Sequence, residues 1–198
     1  RSTPLYSSAA SDVYKRQGQG NNMGVKNSLG DIILIMNPDV RMVEPLFKKA
    51  VNYFDSNKEV ALLGMKQWYN KGKEGLSFDV DPSYSFLHPF LCAIKSRIYN
   101  KLSKFDNRDM YINGSCFFIC KQPFVKIGMF DEKIFMYCEE KDLNRRLRNS
   151  GYEITFDKNM NYFHLAGERS FSYDEFRMTL DSELYYYCLL YTSPSPRD

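Results

Sequence analysis

The chain has 198 residues, is 43% hydrophobic and 16% aromatic, and carries Lys+Arg 27 against Asp+Glu 24. That is apolar matter enough for one packed domain, and no run approaches the roughly 18 to 20 apolar residues of a membrane span. The net charge of +3 is not gathered into the basic face that nucleic acid would need, so nucleic acid is not an expected partner.

The two ends read differently from the middle. Residues 1–17, "RSTPLYSSAASDVYKRQ", and 188–198, "CLLYTSPSPRD", are rich in Ser, Pro and Arg and lack periodicity. Both resemble translated sequencing-adapter sequence and are set apart as non-native tails. Arg1, Lys15 and Arg16 against Asp12 give the first tail +2, while Arg197 and Asp198 cancel, so residues 18–187 stand near +1. Cys92, Cys116, Cys120 and Cys138 lack paired C-x-x-C spacing. They are expected to be small buried hydrophobes in a reducing compartment rather than zinc ligands.

From Gly18 the expected fold class is α/β. "NNMGVKNSLG" reads as a helix with Met23, Val25 and Leu29 apolar and Gly30 at its end. "DIILIM" follows as a strand apolar on both faces, which suits a parallel sheet covered by helices. Val43 to Phe54 has the i, i+3, i+4 spacing of an amphipathic helix with Pro45 in its first turn. "VALLGMKQW" is a second buried strand. "NKGKEG" reads as a turn, "DVDPSYSFLHP" as an exposed loop and "FLCAIKSRIYNKL" as a helix. "MYINGSCFFIC" reads as one strong strand, with Gly114 where a side chain would be unwelcome. "KQPFVKIGMFDEKIFMY" gives a short helix, a Gly turn and an aromatic segment. "EEKDLNRRLRNSG" is a helix closed by Gly151, "YEITFD" and "NYFHLA" are two short strands, and residues 170–187 are helical. No internal repeat is present.

Three stretches could carry chemistry, and each also has a plain structural reading. Asn37-Pro38-Asp39 ends the first strand on the side where open α/β sheets bind ligands. Pro38 stiffens the turn, and a fixed carboxylate there would suit a hard divalent cation; N-P-D is equally good turn chemistry. Glu139 and Glu140 open a helix, where free amides favour carboxylates whether or not they act on a substrate. Asp142 and Arg146 fall at i, i+4 on the face of Glu139 and suit an ion pair, while Glu140 has no obvious partner within the helix. His164 ends a strand, where a lone histidine is more often structural.

Taken in order, "GQGNNMG", "DIILIMNPDV", "INGSCFFI", "GMFDEKIFMYCEEKDLNRRLRNSGYEI" and "YFHLAG" resemble the family 2 glycosyltransferases, inverting and of GT-A fold. The likeness is nearest to the rhamnosyltransferase-like enzymes of bacterial surface-polysaccharide synthesis and covers nearly all of residues 18–170. It implies a Rossmann-like mixed sheet flanked by helices, a nucleotide-diphosphate sugar donor, a glycan or lipid-linked acceptor, and Mg²⁺ or Mn²⁺ as cofactor. It implies Asp39 as metal ligand, with Asn37 in place of the first acid of a D-x-D motif and His164 as a second metal or diphosphate contact. Glu140 would be the catalytic base. Glu139, Asp142 and Arg146 would support the acceptor side together with Gly114, and Asn21 and Asn22 would lie against the donor nucleotide. A cytoplasmic enzyme is implied, with peripheral attachment to the inner membrane face left open by the lipid-linked acceptor.

The same resemblance implies an opening strand, helix and second strand, about 60 residues by the size of a βαβ pass, whose base-binding acid has no counterpart after Gly18. Two further readings stand beside it. A sugar-nucleotide nucleotidyltransferase would share the sheet and the metal chemistry, but the FDE and E-E-x-D-L block argues against it. A non-catalytic binding module is the other, against which the presence of Asp39, Glu140 and His164 speaks.

Overall fold

The computed structural model describes residues 17–69, 72–83, 89–134, 137–165 and 173–192. In chain order the elements are α1 (Gln17–Asn27), β1 (Ile32–Met36), β2 (Val40–Met42), α2 (Phe47–Ser56), β3 (Val60–Tyr69), β4 (Phe78–Val80), α3 (Pro89–Lys101), β5 (Met110–Ile112), β6 (Cys116–Cys120), α4 (Lys121–Lys126), α5 (Glu139–Asn149), β7 (Glu153–His164) and α6 (Tyr173–Thr192). Five strands form one sheet in the order β1-β6-β3-β7-β2, and β4 pairs with β5 in a separate ribbon. Among the described residues no helix is long and apolar enough to cross a membrane.

The α/β class follows from two apolar faces on the main sheet. On one face Ile35, Leu62, Phe117, Ile119 and Ile154 meet Val25 of α1, Phe124 of α4, Leu143 and Leu147 of α5 and the ribbon residues Phe78, Met110 and Ile112. On the other, Leu63, Met65, Phe118, Met160 and Tyr162 meet Leu46 and the α2 residues Ala50 and Phe54. Cys92, Cys116 and Cys138 are buried and unbridged, and Cys120 is half-buried. Burial alone pushes the Cys116 thiol up to about 12, the behaviour of a core thiol.

Several expected elements are corrected. The strand 31–36 is not parallel to its neighbour: β1 pairs antiparallel with β6, Ile32 against Cys120 through Met36 against Cys116. Apolarity on both faces reports cover on both sides and says nothing of direction. The helix expected from Val43 starts at Phe47, because a residue before proline is held extended and Val43 is left exposed. Of the apolar positions expected on the first helix only Val25 reaches the core; Met23 faces solvent, and Leu29 lies past the end of α1 and is exposed. The expected strand 110–120 divides at Asn113–Ser115, β5 joining the ribbon and β6 the main sheet. Conversely, "YEITFD" and "NYFHLA" are one strand. Its register against β3 jumps from Met65–Asp157 to Lys66–Asn161, a bulge that hides the continuity.

The loop expected from Asp79 is an exposed loop only in part. Asp79 and Val80 belong to β4, and Asp81 is fully buried, accepting hydrogen bonds from the Tyr186 hydroxyl at 2.8 Å and the Ser83 hydroxyl at 2.7 Å. Residues 84–88, and Phe135-Met136 of the expected aromatic segment, lie outside the described residues. Gln17 opens α1, and α6 runs on to Thr192.

Candidate active site

The Asn37-Pro38-Asp39 turn is closed by its own backbone. The Val40 N–H donates to the Asn37 carbonyl at 3.1 Å, putting Pro38 at the second position of a β-turn, where its fixed φ is favoured. Two further bonds tie the turn down: Asn37 N–H to the Ser115 carbonyl at 2.9 Å, and Leu165 N–H to the Asp39 carbonyl at 2.7 Å. β2 then pairs with the end of β7, setting Val40 opposite His164. Asp39 and His164, 125 positions apart in the chain by their numbers, therefore meet, with Oδ1 to Nε2 at 3.3 Å.

Their chemistry suits a divalent cation. Two adjacent corners of an octahedron with bonds of about 2.1 Å stand about 3 Å apart, close to the observed spacing. Asp39 is 39% and His164 19% exposed at the side chain, so both are reachable. Among the described residues no group of three or more His, Cys, Asp or Glu side chains gathers to hold a metal; this pair would leave the remaining positions to oxygens of a ligand or water. The Tyr69 ring stacks on His164 with centroids 6.3 Å apart and 26° between planes. That contact was not foreseen, because β3 and β7 are distant in sequence and Tyr69 ends an ordinary apolar strand.

Beneath the turn lies a buried polar knot. The hydroxyls of Ser115 and Tyr162 stand 2.7 Å apart, and each is within hydrogen-bonding distance of Gln67 Oε1, at 3.0 and 2.8 Å. Gln67, Ser115 and Tyr162 are all buried. They fasten β3, β7 and the turn before β6 to one another at the base of the site.

Glu140 lies beyond that turn. A Cβ placed on Gly114 would stand 3.5 Å from Glu140 Cδ and 3.6 Å from Oε2. This is ordinary contact, so an alanine fits, and only a larger side chain would take the carboxylate's place; the expectation that any side chain is unwelcome at 114 is narrowed accordingly. Burial pushes the Glu140 carboxyl up to about 8, with the charge of Glu139 and then Asp79 adding to the rise, against the helix amide and Lys141. Tyr111 of β5 is buried nearby, its hydroxyl raised well above the ordinary value by burial and by Asp79, Glu140 and Asp81.

The other helix acids do different work. Burial raises the Glu139 carboxyl, and backbone N–H groups of residues 137–139 pull it back, Cys138 N–H at 3.1 Å among them. It caps its own helix. Asp142 receives Nε and Nη2 of Arg146 at 2.8 and 2.5 Å, and Arg146 Nη1 donates to the Ile127 carbonyl at 2.8 Å. The pair braces the Gly128 turn. Asn144, which the pattern did not single out, accepts the Ile112 N–H at 3.1 Å and donates to the Glu140 carbonyl at 2.7 Å. A polar residue on the buried face of an amphipathic helix was the available signal.

Asn21 and Asn22 of α1 are not brought to Asp39 or Glu140 by any contact among the described residues. Asn22 is buried; its amide donates to the Phe130 carbonyl at 2.9 Å and accepts the Phe130 N–H at 3.0 Å, tying α1 to the FDE loop. Asn21 lines a cavity of about 360 Å³ against β1 residues Ile32 to Ile35.

No family model matches the chain. The rhamnosyltransferase WbbL of Escherichia coli K12 is 28% identical over 182 residues, covering 85% of this chain and 69% of its own length. An N-acetylglucosaminyl-diphospho-decaprenol L-rhamnosyltransferase of Mycobacterium tuberculosis is 40% identical over 42 residues, 21% of this chain and 14% of that protein.

The chain is similar to the rhamnosyltransferase-like glycosyltransferases of family 2.

Its GT-A fold is shared with solved glycosyltransferases. A mannosyltransferase of Pyrobaculum calidifontis, in complex with GDP-Man and Mn²⁺, matches at TM-score 0.55 and 9% identity over 90% of this chain and 44% of its own. GalNAc-T7 with UDP, GalNAc and Mn²⁺ matches at TM-score 0.51 and 14% identity over 85% and 36%. The chain thus spans less than half the length of these solved neighbours.

Proposed function

We propose that the chain moves a sugar, of the hexose or deoxyhexose class, from a nucleotide-diphosphate donor to a glycan or lipid-linked acceptor with inversion, in surface-polysaccharide synthesis on the cytoplasmic side. The observation that carries this reading is the pairing of Asp39 with His164 at 3.3 Å on a turn hydrogen-bonded to Ser115, next to Gly114, which abuts Glu140. The names of the rhamnosyltransferase relatives support a deoxyhexose, and the decaprenol-linked one supports a lipid acceptor.

Asp39 and His164 would hold the divalent cation. When bound, it supplies positive charge against the charge that collects on a departing diphosphate. Glu140 takes the proton of the acceptor hydroxyl as that oxygen bonds to C1 of the sugar. The bond from C1 to the diphosphate oxygen breaks, and its electron pair leaves with the nucleoside diphosphate. One displacement inverts C1, as in inverting glycoside hydrolysis, and no covalent nucleophile is required. Gly114, against which the Glu140 carboxylate lies, precedes Ser115, the residue to which the turn carrying Asp39 is hydrogen-bonded.

Titration calorimetry of a nucleoside diphosphate with and without Mn²⁺ tests the cation end of the site. Asp39→Ala is expected to abolish the Mn²⁺-dependent part of binding. An isotherm unchanged from that of the parent chain would overturn the assignment.

A further inference from the structure

Helix α3 is amphipathic in the reverse sense. Its inward face carries Cys92 and Tyr99 against the core but is otherwise polar: the Ser96 hydroxyl accepts the Val80 N–H at 2.9 Å and donates to Asp79. Asn100 accepts the Ser77 N–H at 2.7 Å and donates to the Phe78 carbonyl at 2.8 Å. Ser96 and Asn100 are 1% and 5% exposed, whereas Leu91, Ile94, Ile98 and Leu102 are 46%, 38%, 51% and 66% exposed. The spacing of these four puts them in one stripe. A globular helix normally turns such a stripe to the core, yet the described residues of this domain leave it exposed.

The charge beside the stripe has one sign. From Pro89 to Lys104 the chain holds Lys95, Arg97, Lys101 and Lys104 and no acidic residue. Lys95 is paired with Asp109 at 2.5 Å, while Arg97 and Lys101 stand on the exposed side with the stripe. An apolar strip flanked by cations and free of acids complements an anionic lipid surface, where the apolar groups enter the acyl boundary and the cations meet headgroups. We propose that α3 is a docking helix that lays the domain on an anionic bilayer. α3 packs on β4, β4 pairs with β5, and β5 packs on the Glu140 helix α5. Docking would therefore hold the base side of the site near the membrane; that consequence rests on the sugar-transfer reading, and the docking itself does not.

Flotation of the full chain with phosphatidylcholine vesicles, plain or containing about one-third phosphatidylglycerol, tests the proposal. The chain is expected to float with the anionic vesicles and to release as salt rises. Ile94→Gln with Ile98→Gln should lower the bound fraction roughly tenfold, and Arg97→Gln with Lys101→Gln should weaken binding to the anionic vesicles alone. All four positions are at the surface, and an unchanged far-ultraviolet circular dichroism spectrum verifies the fold of each variant. Absence of flotation, or equal flotation of parent and isoleucine variant, overturns the proposal. So does a dimer in sedimentation velocity that the isoleucine variant dissolves without any lipid binding, which would make the stripe a contact between copies. No donor or cation enters the assay, so a negative result leaves the Asp39 titration to judge the sugar-transfer reading separately.

Discussion

In the proposed role Glu140 must be charged to accept a proton, yet its surroundings favour the neutral acid. Burial is the largest cause, and the neighbouring carboxylates Glu139 and Asp79 add to it, bringing the group to about 8. A base with that value is strong when ionised, and the ionised fraction grows with pH. Acceptor-dependent release of nucleoside diphosphate should therefore rise with pH and level off above about 8; a profile flat from about pH 6 to about 9 would remove Glu140 from the role. Glu140→Gln should lower transfer by roughly 10²- to 10⁴-fold while the Mn²⁺-dependent binding of nucleoside diphosphate persists. At this scale some of the site was legible. Asp142 and Arg146 are one helical turn apart, and their pairing could be read from spacing. Asn22 could not be read that way, because the peptide it binds, at Phe130, is 108 residues away, and a buried amide looks like an exposed one in a string of letters.

Elements carry the next constraint. β3 reads as a uniform apolar strand, but Gly64 within it lies under the ribbon: a Cβ there would stand 2.4, 2.8 and 2.9 Å from three carbons of Ile112. Since the whole isoleucine side chain is involved, Gly64→Ala should cost about 1–3 kcal/mol by overpacking, seen as a lower Tm, and Ile112→Val should restore part of it. An unchanged Tm in the alanine variant would mean that the ribbon shifts freely. Ile112 is also held from the other side, where Asn144 takes its N–H. Asn144→Ala leaves that buried donor unpaired, at about 1–3 kcal/mol, measurable by urea denaturation. These two contacts explain why the middle of the chain was hard to read. β4 and β5 are three residues each, too short for periodicity to show, and α3 inverts the polarity by which a helix declares its inner face. The long apolar strand β3 and the helix α5 were readable because each is buried in the pattern its residues predict.

At the scale of the whole molecule, acids buried at the mouth of α5 set the pH dependence of stability. Burial raises Glu139, Glu140 and Asp142 above their ordinary values, so over this range the folded chain binds more protons than the unfolded one. Stability then falls as pH rises. For Glu140 the contribution is whole below the unfolded value of about 4.3 and is gone once pH passes about 8. Asp106, held at about 2 chiefly by its hydrogen bond from Arg108, has the opposite sign, but its window closes near the ordinary aspartate value of about 3.9 and cannot mask the effect. The urea midpoint of the parent chain should accordingly drop between about pH 5 and about pH 9. In Glu140→Gln the drop should be much smaller, and the variant should be the more stable of the two at the alkaline end, since an amide needs no ionisation in that setting. Equal slopes for parent and variant would place the desolvated charge elsewhere and take with it the reason for a base tuned to about 8.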